Sequence, residues 1–169
     1  MTRQRGLKSL KSRSTELETP ELAYQYALRL LTGRDYTVLK LRGKLTARNL
    51  TEQDVEATLL RLQRESWLDD RRYAVRFAES ALSNGRFYGP RLRQEMRRRG
   101  LPVELVDEIL KIVSGEYDEI DQLRSAIDRR YPGFVFNASS DKEKRRVISW
   151  LQRRGFGISA VMRILRETV

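Results

Sequence analysis

The sequence reads as an all-α protein of three tandem three-helix repeats forming an elongated, curved molecule. Three observations carry that reading. Apolar side chains recur at helical spacing along nearly the whole chain. Ser, Thr and Asp caps, with Pro and Gly, punctuate those runs at short intervals. One ordered pattern of apolar and turn residues also appears three times, displaced by 51 residues and then by 55.

The first helix opens at Thr19, a good N-cap, with Pro20 suited to the first helical position and Glu21 complementing the positive end of the helix dipole. Ala23, Tyr26, Ala27, Leu30 and Leu31 supply its apolar stripe, and Gly33 stops it. A second helix, about 38–48, follows a Thr37 cap with Val38, Leu41 and Leu45 on one face. The third, about 52–64, starts at Thr51 and carries Val55, Leu59 and Leu62.

The cycle restarts in "SWLDDRRYAVRFAESAL", where Asp69 or Asp70 caps a helix with Tyr73, Ala74, Phe77 and Ala81 inward. Gly89 and Pro90 open "RLRQEMRRRG", Gly100 closes it, and "LPVELVDEILKIV" supplies the next short helix. The last cycle predicts helices over 117–130, 141–154 and 158–168. Its surface loop, "YPGFVFNASS", ends in a Ser139 or Ser140 cap, and no strand pattern competes.

Superposed without gaps, Leu41, Leu92 and Val147 align, as do Leu45, Met96 and Leu151. Asn49, Gly100 and Gly155 coincide at the turn, where a helix C-terminus favours the left-handed conformation. Leu50, Leu101 and Phe156 follow, then Val55, Val106 and Val161, then Leu59, Leu110 and Leu165. Three short helices bury little surface alone, so stacking should complete each core. The expected organisation is a flexible basic segment over 1–18 and repeats over 19–68, 69–113 and 114–169.

Composition narrows the chemistry. The 169 residues contain 34 Lys and Arg against 23 Asp and Glu, a net charge of +11, with neither cysteine nor histidine. Disulfides, thiolate zinc sites, cysteine nucleophiles and histidine proton shuttles are excluded. No P-loop or GxGxxG motif is present, and neither a cofactor nor a metal is expected. No stretch approaches the roughly 20 apolar residues that span a bilayer, so no membrane association is expected. The Arg- and Ser-rich opening has a presequence-like composition, but Glu16 and Glu18 interrupt it, and a cytoplasmic protein is the simpler expectation.

The positive charge is concentrated within each cycle. Residues 38–48, 90–99 and 141–154 each net +4, whereas 51–65 and 102–113 each net −2. On a helical wheel, Arg91, Arg93, Arg97 and Arg98 fan away from Leu92 and Met96, with Arg99 near the boundary. Lys40, Lys44 and Arg48 lie behind Leu41 and Leu45, and Arg145, Arg146 and Arg153 lie away from Val147 and Leu151. Stacked repeats would join these faces into an intermittent basic track for a polyanion or an acidic groove. The blander alternative is a solvated face that only confers solubility.

Other motifs carry less. The paired carboxylates of "WLDDRRYA" point about 100° apart on a helix, so capping fits them better than metal binding. Trp67 and Trp150 read as core or repeat-interface packing, and Tyr36, Phe87 and Tyr88 as hydrophobic staples before second helices. "RLRQEMRRRGLPVELVDEIL" has the outline of a helix-turn-helix, but Glu104, Asp107 and Glu108 make its second helix too acidic for the major groove.

Three segments in order, "ALRLLTGRDYTVLKLRGKL", "LLRLQRESWLDDRRYAVRFAES" and "YGPRLRQEMRRRGLPVELVDEIL", resemble the RecX regulatory proteins of bacterial recombination. The similarity spans about 20–168, with Thr37 where the family usually has a serine. The resemblance implies three three-helix repeats lying in the groove of the RecA filament on DNA. It also implies a non-enzymatic protein that restrains RecA's ATPase, strand-exchange and coprotease activities in recombination, DNA repair and the SOS response, and the chain is expected to act as a monomer. The residues expected to face the RecA–DNA groove are Lys40, Lys44, Arg91, Arg93, Arg97, Arg98, Arg145, Arg146 and Arg153. A direct, sequence-independent binder of single- or double-stranded DNA is the alternative. A carboxylate metal nuclease lacks a convergent acidic cluster.

Overall fold

Helix caps and left-handed turns set the element boundaries in a computed structural model that describes residues 20–167. The segment 1–18, the Thr19 cap and Thr168 lie outside the described residues. Among the described residues the fold is all-α, with nine α-helices and no strand. They are α1 (Pro20–Gly33), α2 (Val38–Thr46), α3 (Glu52–Arg64), α4 (Asp70–Ser83), α5 (Gly89–Arg98), α6 (Val103–Val113), α7 (Glu119–Arg130), α8 (Asp141–Arg154) and α9 (Ile158–Glu167). A single 3-10 turn, Ser114–Glu116, follows α6. None of the described helices is long and apolar enough to cross a membrane.

Two boundaries differ from the sequence expectation. α2 stops at Thr46 because Arg48 and Asn49 donate to carbonyls only three residues back, Leu45 (2.9 Å) and Thr46 (3.2 Å). That tightened turn ends the helix before the left-handed Asn49. α7 starts at Glu119 because the Asp118 carboxylate accepts from the backbone N–H groups of Ile120 (2.8 Å) and Asp121 (3.1 Å).

The described residues form two compact units, 20–34 with 41–68, and 35–40 with 69–167. In the first, α1 packs on α3, and the core holds Ala23, Tyr24, Ala27, Leu41, Leu45, Val55, Leu59, Leu62 and Leu68. The α1 stripe is therefore rotated from the expected one: Tyr24 is buried, while Tyr26, Leu30 and Leu31 are only half-buried. Tyr24 can occupy the core because its hydroxyl donates to Glu65 and its ring lies 3.6 Å from the Arg61 guanidinium.

The second unit has two apolar clusters. One joins α4, α5 and α6 through Ala74, Ala78, Leu92, Met96, Val106 and Ile109; the other joins α7, α8 and α9 through Leu123, Ala126, Val147, Leu151, Val161 and Leu165. Tyr88 touches both clusters and stacks on Phe156 with ring centroids 5.0 Å apart. The Tyr88 backbone N–H also donates to the Arg154 carbonyl at 2.7 Å.

The aligned turn residues Asn49, Gly100 and Gly155 all have positive φ, at 59°, 87° and 105°. The aligned core positions are buried, with Leu50 and Leu110 only partly so. In the second repeat Ile109 takes the inward position, leaving Leu110 at the edge of the cluster.

Candidate functional site

The second helices are built to turn a basic face outward. Pro90 sits in the first turn of α5, Leu92 and Met96 anchor the helix with 1% and 0% exposure, and Gly100 ends it. α8 begins with a full capping box: Ser140 accepts from the Glu143 N–H, and the Glu143 carboxylate accepts from the Ser140 N–H. Val147 and Leu151 then fasten it to its core.

Six of the nine expected interface residues form no ion pair among the described residues: Lys40 and Lys44 on α2, Arg97 on α5, and Arg145, Arg146 and Arg153 on α8. All six are exposed. The other three are engaged. Arg93 pairs with Asp107 of α6, while Arg91 and Arg98 pair with Glu95 at 2.8 and 2.9 Å.

Glu95 is the residue that charge counting hides. It is 1% exposed and gathers Arg91, Arg98 and Arg99 from its own helix. Burial pushes its carboxyl up, and this is the largest single influence. Hydrogen bonds from Arg99 and Arg98 and the charge of Arg91 outweigh it, holding Glu95 below the ordinary glutamate value. Arg99 also lies 4.0 Å from the Phe77 ring and donates to the Glu95 carbonyl, so it belongs to the packing of α5. The i, i+3 and i, i+4 spacing was visible in the sequence; the burial that gives it weight was not.

Asp69 and Asp70 divide their work. Asp69 caps α4 by accepting from Arg71 (2.8 Å) and Arg72 (3.0 Å). Asp70 instead accepts from the Val38 N–H at 2.8 Å and so caps α2. Burial raises the Asp70 pKa, with the Val38 bond acting against it and the Asp69 charge adding to it. Thr37 accepts from the Lys40 N–H at 3.3 Å, as a helix cap should, and donates to the Arg99 carbonyl at 2.6 Å. No group of acidic residues suited to a metal occurs among the described residues.

The tryptophans part ways. Trp150 packs edge-on against Tyr131 at 5.5 Å, as expected of interior packing, whereas Trp67 is 48% exposed because it follows the left-handed Ser66 at the end of α3. Tyr36 is buried, and Phe87 packs its ring against Phe77 of α4.

Comparison with known proteins gives a consistent result. The family model described as RecX, first three-helix domain, matches residues 23–62, and that described as RecX, third three-helix domain, matches 116–165. The chain is 41% identical over 148 residues to the regulatory protein RecX of Trichlorobacter lovleyi, covering 88% of this chain and 96% of that protein. It is 37% identical over 145 residues to that of Thermus thermophilus, covering 85% and 90%. The crystal structure of RecX from Lactobacillus salivarius superposes with a TM-score of 0.67 at 16% identity, over 88% of this chain and 96% of that one.

Proposed function

The chain belongs to the RecX family of regulatory proteins, and from that premise we propose that it binds the RecA filament on DNA and restrains it. The restraint falls on ATP hydrolysis, strand exchange and coprotease activity, in recombination, repair and the SOS response. In this reading the working parts are the repeats 19–68, 69–113 and 114–169, acting as a cytoplasmic monomer without a cofactor.

The observation supporting it is the set of exposed cations that form no ion pair among the described residues, Lys40, Lys44, Arg97, Arg145, Arg146 and Arg153. Unpaired cations attract a polyanion without first losing an internal ion pair. Arg91, Arg93 and Arg98 complete the proposed set, but each must exchange an existing partner to bind an outside anion.

The deciding measurement is RecA ATP hydrolysis on single-stranded DNA as this protein is added. Turnover should fall, and unchanged turnover at saturating protein would overturn the proposal. Charge reversal at Arg97, Arg145, Arg146 and Arg153 should weaken filament binding while helicity is retained. Titration against bare and RecA-coated DNA at two salt concentrations separates this reading from direct DNA binding. Equal affinity for both forms would favour the direct binder.

A further inference from the structure

A second concentration of cations shares no member with the nine above. Arg86 follows α4, Arg129 and Arg130 end α7, and Arg154 ends α8. Arg154 Nη1 donates to the carbonyls of Gly85 (2.6 Å) and Arg86 (3.2 Å), and its guanidinium lies 4.0 Å from the Trp150 ring. Arg129 donates to the carbonyls of Ser83 (3.2 Å) and Ser125 (3.1 Å). The Arg86 and Arg130 guanidinium groups lie 5.3 and 5.5 Å from the rings of Phe87 and Tyr131.

Neutral carbonyls thus hold Arg129 and Arg154, and aromatic rings neighbour Arg86 and Arg130, without cancelling their charge. Among the described residues no carboxylate forms an ion pair with any of the four. Gly85 is part of the construction: its φ is +54°, and a Cβ there would stand 3.0 Å from Arg129 Nη2. Burial, followed by the charges of Arg129, Arg130 and Arg86, depresses the Arg154 pKa. Because arginine stays protonated in proteins, the like charges remain together and repel. An anion placed among them would relieve that repulsion.

We propose that Arg86, Arg129, Arg130 and Arg154 form a phosphate-binding site for a nucleic-acid backbone. Guanidinium groups offer planar forks that match phosphate oxygens. Arg86, Arg129 and Arg130 are exposed, whereas carbonyl bonds and the Trp150 face hold Arg154 from behind. Four cations over-provide for one side-chain carboxylate, but a strand delivers a charge at every nucleotide. Phe87, Tyr131 and Trp150 each already carry a guanidinium, so the site reads the backbone without stacking on bases. It takes its DNA from the function proposed above, but its chemistry does not require RecA.

The test uses the full chain, whose two tryptophans reduce to Trp150 alone on Trp67→Phe substitution. A labelled oligothymidylate is titrated with RecA absent, following label anisotropy and Trp150 emission together. Trp150 emission should change saturably, in step with binding. Arg86→Gln with Arg130→Gln should keep the circular dichroism of the parent and lower the steepness of log K against log salt by about 1.4, two contacts at about 0.7 each. Arg130→Gln alone lies outside the carbonyl contacts and should lower it by about 0.7.

Absence of oligonucleotide binding, a silent Trp150 at saturation, or an unchanged salt dependence in the variants would each overturn the site. An equal Trp150 response to polyglutamate at matched salt would overturn the nucleic-acid assignment in favour of an acidic protein surface. Failure of RecA inhibition with an intact Trp150 titration removes the proposed function and leaves the site. The converse removes the site and leaves the function.

Discussion

Helices α5 and α8 occupy equivalent places in successive repeats and carry equal net charge, five basic and one acidic residue over 90–99 against six and two over 141–154. They present that charge differently. In α5 the single acid, Glu95, sits in mid-helix on the buried side and collects Arg91, Arg98 and Arg99, while Arg93 is drawn to Asp107. In α8 both acids lie in the first turn, where Glu143 accepts from the Ser140 backbone N–H through the capping box and Asp141 is 4.0 Å from Lys144. Arg145, Arg146 and Arg153 form no ion pair among the described residues. An acid at a helix N-terminus is engaged by the backbone and dipole; one a turn or more inside is engaged by side chains.

The turns that follow the two helices differ as well, and they provide the largest expected effect. A Cβ on Gly155 would overlap the Tyr88 carbonyl and stand 2.7 Å from Arg91 Cβ, whereas one on Gly100 would overlap the Leu39 side chain, with Leu39 Cβ at 2.6 Å, but no backbone carbonyl. Gly155→Ala should cost about 3–4 kcal/mol, from left-handed strain and overlap with backbone, and Gly100→Ala less by the share of the Tyr88 carbonyl overlap. Chemical denaturation of both variants checks the order; equal losses would show that the two turns are equally tolerant.

Glu95→Gln comes next. Losing a buried carboxylate that accepts charged hydrogen bonds should cost about 2 kcal/mol at neutral pH. A depressed pKa means that Glu95 contributes stability above the ordinary glutamate value and loses it as pH falls through the folded value. The acid limb of the parent's stability curve should therefore be steeper than that of the variant. Asp70 acts in the opposite sense: its raised pKa favours the folded state at low pH, and that contribution disappears as pH rises. Indistinguishable acid limbs would show that Glu95 is not a stabilising centre of α5.

Ser140→Ala removes the reciprocal cap of α8 and should cost about 1 kcal/mol in thermal or denaturant unfolding. Tyr88, at the equivalent place before α5, makes no side-chain capping bond, so Tyr88→Phe should leave that helix start unaffected.

The smallest stability effect carries the clearest functional contrast. Neutralising Arg145, Arg146 and Arg153 should leave stability within about 0.5 kcal/mol and lower the salt dependence of single-strand binding by about 2. Neutralising Arg91, Arg93 and Arg98 should change it less, since those cations are already partnered. A larger change from the α5 set would reverse the comparison.

Much of this was legible beforehand. Caps and breakers located α3, α5, α6 and α8, and the triple alignment singled out Asn49, Gly100 and Gly155, all of positive φ. Capping chemistry and glycine's freedom are local, so sequence spacing reports them. Errors arose where burial chose between neighbours. Tyr24 entered the core in place of Tyr26 because Glu65 and Arg61 receive it, and Trp67 faces solvent because Ser66 turns the chain.

Local spacing was enough for the all-α class, the helix succession, the apolar register within each repeat and the positive excess of the second helices, because each depends on residues within one or two turns of one another. Which cations keep their charge available depended on folding. Glu95 meets three arginines in a buried setting, Arg93 finds Asp107, and Arg154 is held by the carbonyls of Gly85 and Arg86, 69 and 68 residues away in sequence. Charge adds along a chain, but its effect depends on the distance and burial of its partners, and folding sets both.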